Sequence, residues 1–289
     1  LSRSAIHRAF VDTLQQDTPP AGLPRRLIIF GISALPQQAL EALAALSRHC
    51  QILMLVQNPC QHYWADIVED KQLLRRQLDN GLRVVMSPDR TVPTVAVAVY
   101  YDVGSRNEVR GRSGFAHLFE HMMFQGSANV GKGEHFVLVT NRGGSANGTT
   151  SIDRTNYFET LPSNELALGL WLEADRMRSL AITPENFENQ RATVKEERRQ
   201  SYDDRPYANS MLRINELAYG DYWPYAHSTI GDMQDLDAAP LEAVQEFFDA
   251  YYKPNNAVLS IAGDFDPDEA MALAERYFGN IAGGEVPAY

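Results

Sequence analysis

The pentapeptide His117-Leu118-Phe119-Glu120-His121 constrains this chain more than any other feature. It sets two imidazoles at i and i+4, with a carboxylate between them, on a segment that reads as a helix. At 3.6 residues per turn the two histidines lie one above the other on the same face. Neutral imidazoles so placed can take two corners of a tetrahedral zinc site, while Glu120 points toward the same cavity without having to bind the metal. That leaves Glu120 free to act as a base. The glutamate precedes the second histidine, giving the order H-x-x-E-H. The same five residues also fit an ordinary surface helix with two unrelated histidines, so their surroundings decide.

A zinc that activates water needs three protein ligands and one open position, so a third donor has to come from elsewhere in the fold. The segment from Pro184 to about Tyr202 supplies candidates. Thr183-Pro184-Glu185 reads as a helix start, with a hydroxyl at the cap, proline at the first position and a carboxylate in the first turn. Phe187, Gln190, Val194 and Glu197 fall at i, i+3, i+7 and i+10 and share one side of that helix, whereas Glu196 points nearly the opposite way. The helix phase therefore favours Glu197 as third ligand, with Glu196 as the alternative. Both glutamates also fit a solvated charged run from Lys195 to Arg199.

With these residues in view, the stretch from about Leu78 to the C-terminus resembles the pitrilysin, insulysin and mitochondrial processing peptidase family of zinc endopeptidases. The resemblance rests on Leu78-Asp79-Asn80-Gly81-Leu82, on Gly104-Ser105-Arg106-Asn107-Glu108 and on the run from Gly114 to Phe124. It continues through Gly143-Gly144-Ser145-Ala146-Asn147, Thr155-Asn156-Tyr157-Phe158, Val194-Lys195-Glu196-Glu197, Pro224-Tyr225, Ile230-Gly231, Tyr252 and Pro254-Asn255-Asn256. It implies one zinc ion per chain, held by His117, His121 and Glu197, with Glu120 as general base. It implies peptide substrates that add a strand to the sheet edge beside the metal. Ser145 to Thr149 resembles that edge, with Ala146 and Asn147 as the substrate contacts, although Gly143-Gly144 equally fits a plain turn into a strand. Family members commonly carry a glutamate seven residues before the distal ligand, where this chain has Gln190, so the tuning of the metal through its outer partners differs here. Such enzymes work as two half-units facing each other around a closed chamber. Activity is therefore expected to need a second half-unit, in a homo- or heterodimer, or a continuation of the chain.

The first seventy residues read differently. Leu27 to Gly31 and Gln51 to Gln57 are apolar runs flanking an Ala- and Leu-rich helix from Pro36 to His49, a β-α-β unit whose strands are expected to be parallel. No G-x-x-x-x-G-K-[ST] phosphate loop is present. A two-stranded unit of this size cannot bury both faces of its strands, so it reads as a piece of a larger α/β domain. It resembles a segment of the gamma subunit of bacterial exodeoxyribonuclease V, through Leu27 to Pro36, Gln57-Asn58-Pro59-Cys60 and Tyr63-Trp64-Ala65-Asp66-Ile67. In that family the region belongs to a helicase-like domain without nucleotide hydrolysis, and no catalytic residue falls in the matched stretch. The expected division is thus a fragment over residues 1–70 and a peptidase half-domain over 71–289.

Charge separates the two parts. Residues 1–77 carry eight Lys and Arg against six Asp and Glu, out of 26 and 37 in the whole chain, so the remaining residues hold 18 against 31. The acidic part repels polyanions, which argues against nucleic acid as its ligand. Two such unlike parts, in a chain starting at Leu1 with no signal peptide ahead of it, read as a fusion, a gene-model error or an excised fragment. Hydrophobic residues make up 44% of the chain with no run of eighteen, so no membrane span is expected. A bacterial periplasm or cytoplasm fits. Cys50 and Cys60 both lie in the first part, leaving the peptidase part without thiolate chemistry. His7, His49, His62 and His135 read as structural or solvated, His135 at an exposed-looking helix start, and His227 as a loop residue that could approach substrate although nothing in its spacing requires it.

The expected fold is α+β, helices packed on a mostly antiparallel sheet, after the small β-α-β fragment. Strands are expected at Arg83 to Met86, Val95 to Tyr101, Asn147 to Ser151, Thr155 to Leu161 and Ala257 to Ile261. Helices are expected at about 113–125, 163–180, 241–252 and 267–278, beside the one that carries Glu197. The function that follows is a zinc endopeptidase, or its catalytic half, acting on peptides or small unfolded proteins. The alternatives are a non-catalytic peptidase subunit and a DNA-repair component.

Overall fold

The structure is a computed structural model that describes residues 3–16, 20, 22–30, 37–55 and 73–287. These fall into two compact units, Leu1–Asp70 and Lys71–Tyr289.

The smaller unit contains α1 (Arg3–Leu14), β1 (Arg26–Phe30), α2 (Gln37–Leu46) and β2 (Gln51–Leu55). β1 and β2 are parallel, with Arg26 opposite Gln51 and Phe30 opposite Leu55, as the β-α-β reading requires. α1 packs against α2 and was not anticipated. His49 donates to the Leu14 carbonyl at 2.8 Å, and His7 lies 3.1 Å from Glu41. Cys50 is a buried free thiol. Gly31 to Pro36, Gln57 to Cys60, His62 and Tyr63 to Ile67, which carry most of the repair-subunit resemblance, lie outside the described residues.

The larger unit is built on six strands: β3 (Leu74–Gln77), β4 (Arg83–Pro88), β5 (Thr94–Tyr101), β6 (Ser145–Thr150), β7 (Thr155–Pro162) and β8 (Ala257–Gly263). They are ordered β3-β4-β8-β5-β7-β6, all antiparallel except the β4–β8 pair. Alternation decides the faces. Val95, Val97, Val99 and Tyr101 of β5 are buried while Ala96, Ala98 and Tyr100 are less so, the two-residue period of a strand with one covered side. Each buried valine contributes about 1.5–3 kcal/mol.

The helices are α3 (Phe115–Met122), α4 (Glu134–Asn141), α5 (Leu166–Ser179), α6 (Pro184–Arg198), α7 (Ala208–Tyr219), α8 (Trp223–Ala226), α9 (Met233–Ala238), α10 (Leu241–Tyr251) and α11 (Pro267–Phe278). α5 lies against the buried side of the sheet at Gly169, where an added Cβ would stand 3.3 Å from Val97 and 3.2 Å from Leu161. α3 sits on the same side, its Phe119 carbonyl accepting from the Tyr157 hydroxyl at 3.3 Å. The fold class is the expected one, with shifted ends and with β3, α4, α7, α8 and α9 added to the expected elements. α3 is shorter than 113–125 because Gly114 enters it in the left-handed region at φ 87°, and β6 starts two residues before Asn147.

His135 corrects the sequence reading, for it is 4% exposed. It packs edge-on against Phe124, and its Nε2 lies 4.0 Å from the Glu159 carboxylate. Glu159 is fully buried beside Glu173 and Arg176. Arg176 takes both oxygens of Glu173, and Glu159 lies within hydrogen-bonding reach of Glu173. Burial, reinforced by the neighbouring Glu173, holds the Glu159 carboxyl well above the usual range. Burial also pushes His135 down to about 2.

The Glu159 shift has a sign. The unfolded chain releases this proton in the ordinary carboxylate range and the folded chain keeps it, so the stability present at acid pH is lost as pH rises. Glu159→Gln has no proton to lose. Its stability relative to the parent, read from urea unfolding, is expected to be higher at about pH 8 than at about pH 5. An unchanged difference would show that Glu159 ionises normally in the folded state.

Candidate metal centre

α3 is placed by close packing at its first residue. A Cβ on Gly114 would stand 2.9 Å from both the Gly231 Cα and the Ile230 carbonyl, and the left-handed φ independently favours glycine. From there Phe115, Ala116, Leu118, Phe119 and Met122 turn into the core, and the remaining face presents His117, Glu120 and His121. α6 is started by Thr183, whose hydroxyl accepts from Asn186 N; such a cap is worth about 1 kcal/mol. The Asn186 amide then donates to Gln125 O at 3.1 Å, tying the beginning of α6 to the turn after α3. Phe187, Gln190 and Val194 are buried along the side that faces α3, and Glu197 continues that stripe.

The two helices bring three donors together. His117 Nε2 and His121 Nε2 are 3.3 Å apart, and Glu197 Oε2 lies 3.7 Å and 3.3 Å from them. Tetrahedral zinc with bonds of about 2.0–2.1 Å requires donors separated by roughly 3.3 Å. The separations therefore fit such an ion. Burial, aided by the neighbouring His121, pushes His117 down to about 4, against a smaller opposing effect of Glu120. His117 is consequently neutral at neutral pH, the form in which its nitrogen lone pair is available to a metal. Glu196 takes the other course, its carboxylate accepting from Arg199 and Gln200.

Glu120 lies over β6. A Cβ on Gly148 would stand 3.2 Å from Glu120 Cγ and 3.1 Å from the Tyr157 ring, so the strand passes beneath the glutamate only because that position carries no side chain. β6 is the last strand of the sheet among the described residues. Ala146 pairs with Glu159 and Asn147 with Phe158 of β7 on its inner side, and α3 packs directly on β6. The outer edge of β6 thus runs beside α3 and beneath Glu120.

Other residues fall differently from the reading of the sequence. Gln190 is 7% exposed and donates to Asn189 Oδ1 at 2.7 Å. His227, read as a loop residue that could approach substrate, is buried, stacked on Trp223 and bonded to Glu108. Neither sequence spacing nor periodicity signals that contact, because the two residues are 119 positions apart.

Comparison with known proteins adds three findings. Residues 83–221 match the family model of insulinase (peptidase family M16), residues 238–288 that of the peptidase M16 inactive domain, and residues 1–90 that of the RecC N-terminal domain. The zinc protease PqqE of Helicobacter pylori is 36% identical over 205 residues, 71% of this chain and 46% of that protein. Among solved structures, a protease from Helicobacter pylori superposes with a TM-score of 0.72 at 34% identity, covering 75% of this chain and 52% of the other. The first half of the periplasmic protease PqqL from Escherichia coli gives 0.69 at 24% identity, covering 76% and 48%, a likeness of fold. The chain spans about half the length of the curated relatives it matches.

Proposed function

The chain belongs, through residues 83–288, to the insulinase family, peptidase family M16, and from this premise we propose that its larger unit is the catalytic half of a zinc endopeptidase acting on peptides or small unfolded proteins. The observation that carries the proposal is the convergence of His117, His121 and Glu197 on one point, with Glu120 beside it over an edge strand.

His117 Nε2, His121 Nε2 and Glu197 Oε2 would hold the ion. Zinc bound there supplies a Lewis acid and a positive charge that make water ionise near neutral pH. An extended peptide adds to the outer edge of β6 along Ala146 and Asn147, which brings its scissile bond under Glu120. A Glu120 carboxylate oxygen accepts the proton of the attacking water. As the water oxygen joins the carbonyl carbon and the C–N bond breaks, Glu120 returns that proton to the departing amine. Gln190, a neutral amide, leaves the negative charge of the cluster to Glu197 and Glu120. A second half-unit, from a partner chain or a continuation of this one, closes the chamber over the peptide.

All these residues lie in the larger unit, and no helix among the described residues is long and apolar enough to cross a membrane. We place the protein in a bacterial periplasm or cytoplasm. Elemental analysis of the purified protein, dialysed against excess zinc and then against buffer, is expected to find about one zinc per chain. Protein that emerges folded and free of zinc would overturn the proposal.

A further inference from the structure

Glu108 and His227 form the polar contact behind the first turn of α3. Glu108 is 4% exposed and follows a single 3-10 turn, Ser105–Asn107. Its Oε1 accepts from Ala116 N at 2.8 Å, and its Oε2 accepts from Gly114 N at 2.9 Å. These are two of the N–H groups that a helix start leaves without internal partners. Oε2 is also 2.9 Å from His227 Nε2. The other ring nitrogen, Nδ1, lies 2.7 Å from the Trp223 carbonyl. The Trp223 ring covers the imidazole face at 4.1 Å and 9°, and its indole Nε1 donates to the Glu108 carbonyl at 2.8 Å. The Arg110 guanidinium lies over the same indole, 4.7 Å from its centroid.

These partners determine the proton count. A main-chain carbonyl can only accept, so Nδ1 carries a hydrogen. A carboxylate can only accept, so Nε2 carries one as well. A neutral imidazole would be compatible only with a protonated Glu108 donating to it. Burial raises the Glu108 carboxyl, opposed by His227 and by the Gly114 and Ala116 N–H groups; because both N–H groups and the positive end of the α3 dipole point at the carboxyl, the geometry favours its charged form. Burial alone would lower His227, but Glu108 and the carbonyls of Trp223 and Ser105 raise it.

We infer that Glu108 and His227 are a buried carboxylate–imidazolium clasp that fixes the first turn of α3, and with it the position of His117. His117 follows directly on Ala116, whose N–H the clasp holds, whereas His121 stands a turn further along. Glu108 and His227 are positioning residues, since neither touches the ligand nitrogens. The link to metal affinity rests on the zinc reading above; the clasp itself does not.

Nitrogen NMR of isotope-labelled histidine reads the clasp directly. At about neutral pH His227 is expected to show two protonated ring nitrogens, one donating to the Trp223 carbonyl and one to Glu108. Hydrogen exchange reads its grip. In metal-free protein the Gly114 and Ala116 amides are expected to exchange at least about tenfold faster in Glu108→Gln and His227→Phe than in the parent, the equivalent of one lost charge-assisted hydrogen bond. Zinc affinity, measured by chelator competition, is expected to fall about ten- to a hundredfold in both variants. Ile261→Val, which trims the core of β8 and leaves α3 alone, is expected to retain parental affinity even where its melting temperature is lower. That control separates positioning from general loss of stability. Should Glu108→Gln fail to fold, His227→Phe and the NMR measurement still decide. A neutral His227, or parental exchange at Gly114 and Ala116, overturns the clasp whether or not zinc binds. Parental zinc affinity with faster exchange refutes the positioning of His117. A parent protein that binds no zinc overturns the metal reading and leaves the clasp to the other two measurements.

Discussion

Glu120→Gln is expected to keep zinc bound and to cut peptide cleavage by about a hundred- to ten-thousand-fold, the usual share of a general base. The amide has the shape of the carboxyl, so it fits over Gly148, where the strand passes close beneath the Glu120 side chain. It cannot take a proton from water. His117, His121 and Glu197, which would hold the ion, are untouched, so zinc content should equal that of the parent. The assay supplies a complementary half-unit, because the chain spans about half the length of its relatives. Near-parental cleavage by Glu120→Gln in that reconstituted enzyme would show that Glu120 is not the base.

The second large effect is loss of the metal. His117→Ala, His121→Ala and Glu197→Gln each leave two of three donors and are expected to lower zinc affinity by more than the about hundredfold that removal of an outer partner can cost. Glu196→Gln is expected to bind zinc as the parent does, because its carboxylate is engaged with Arg199 and Gln200 at the surface. Chelator competition on the four variants distinguishes the cases. Zinc loss in Glu196→Gln but not in Glu197→Gln would move the third ligand by one residue and the α6 phase by about 100°.

The parts of the site that were legible are those set by local geometry. A helix places i and i+4 on one face whatever surrounds it, so His117 and His121 could be paired from their spacing. The same regularity chose Glu197 over Glu196, since Phe187, Gln190 and Val194 form the buried stripe of α6. The strand period of Val95 to Tyr101 marked the buried side of β5 in the same way. His135 was misread because Gly131, Lys132 and Gly133 before it resemble a solvated loop, while its burial depends on Phe124 and Glu159, which other elements bring to it.

Taken alone, the sequence determined the pairing of His117 and His121 on one helix face, the side of α6 that carries Glu197 and the α+β character of the larger unit, because each depends on residues within one helix or strand or a recurrent pattern of motifs. Tertiary structure decided what no local period encodes. It inserted β8, near the end of the chain, between β4 and β5. It left β6 at the sheet edge beneath Glu120, drew His135 into the core, and joined Glu108 to His227 behind α3. The reason is physical: these contacts close loops of roughly ten to well over a hundred residues, and the entropy of closure rises only slowly with loop length. Burial and hydrogen-bond satisfaction in the folded state therefore choose the partners, and sequence distance does not.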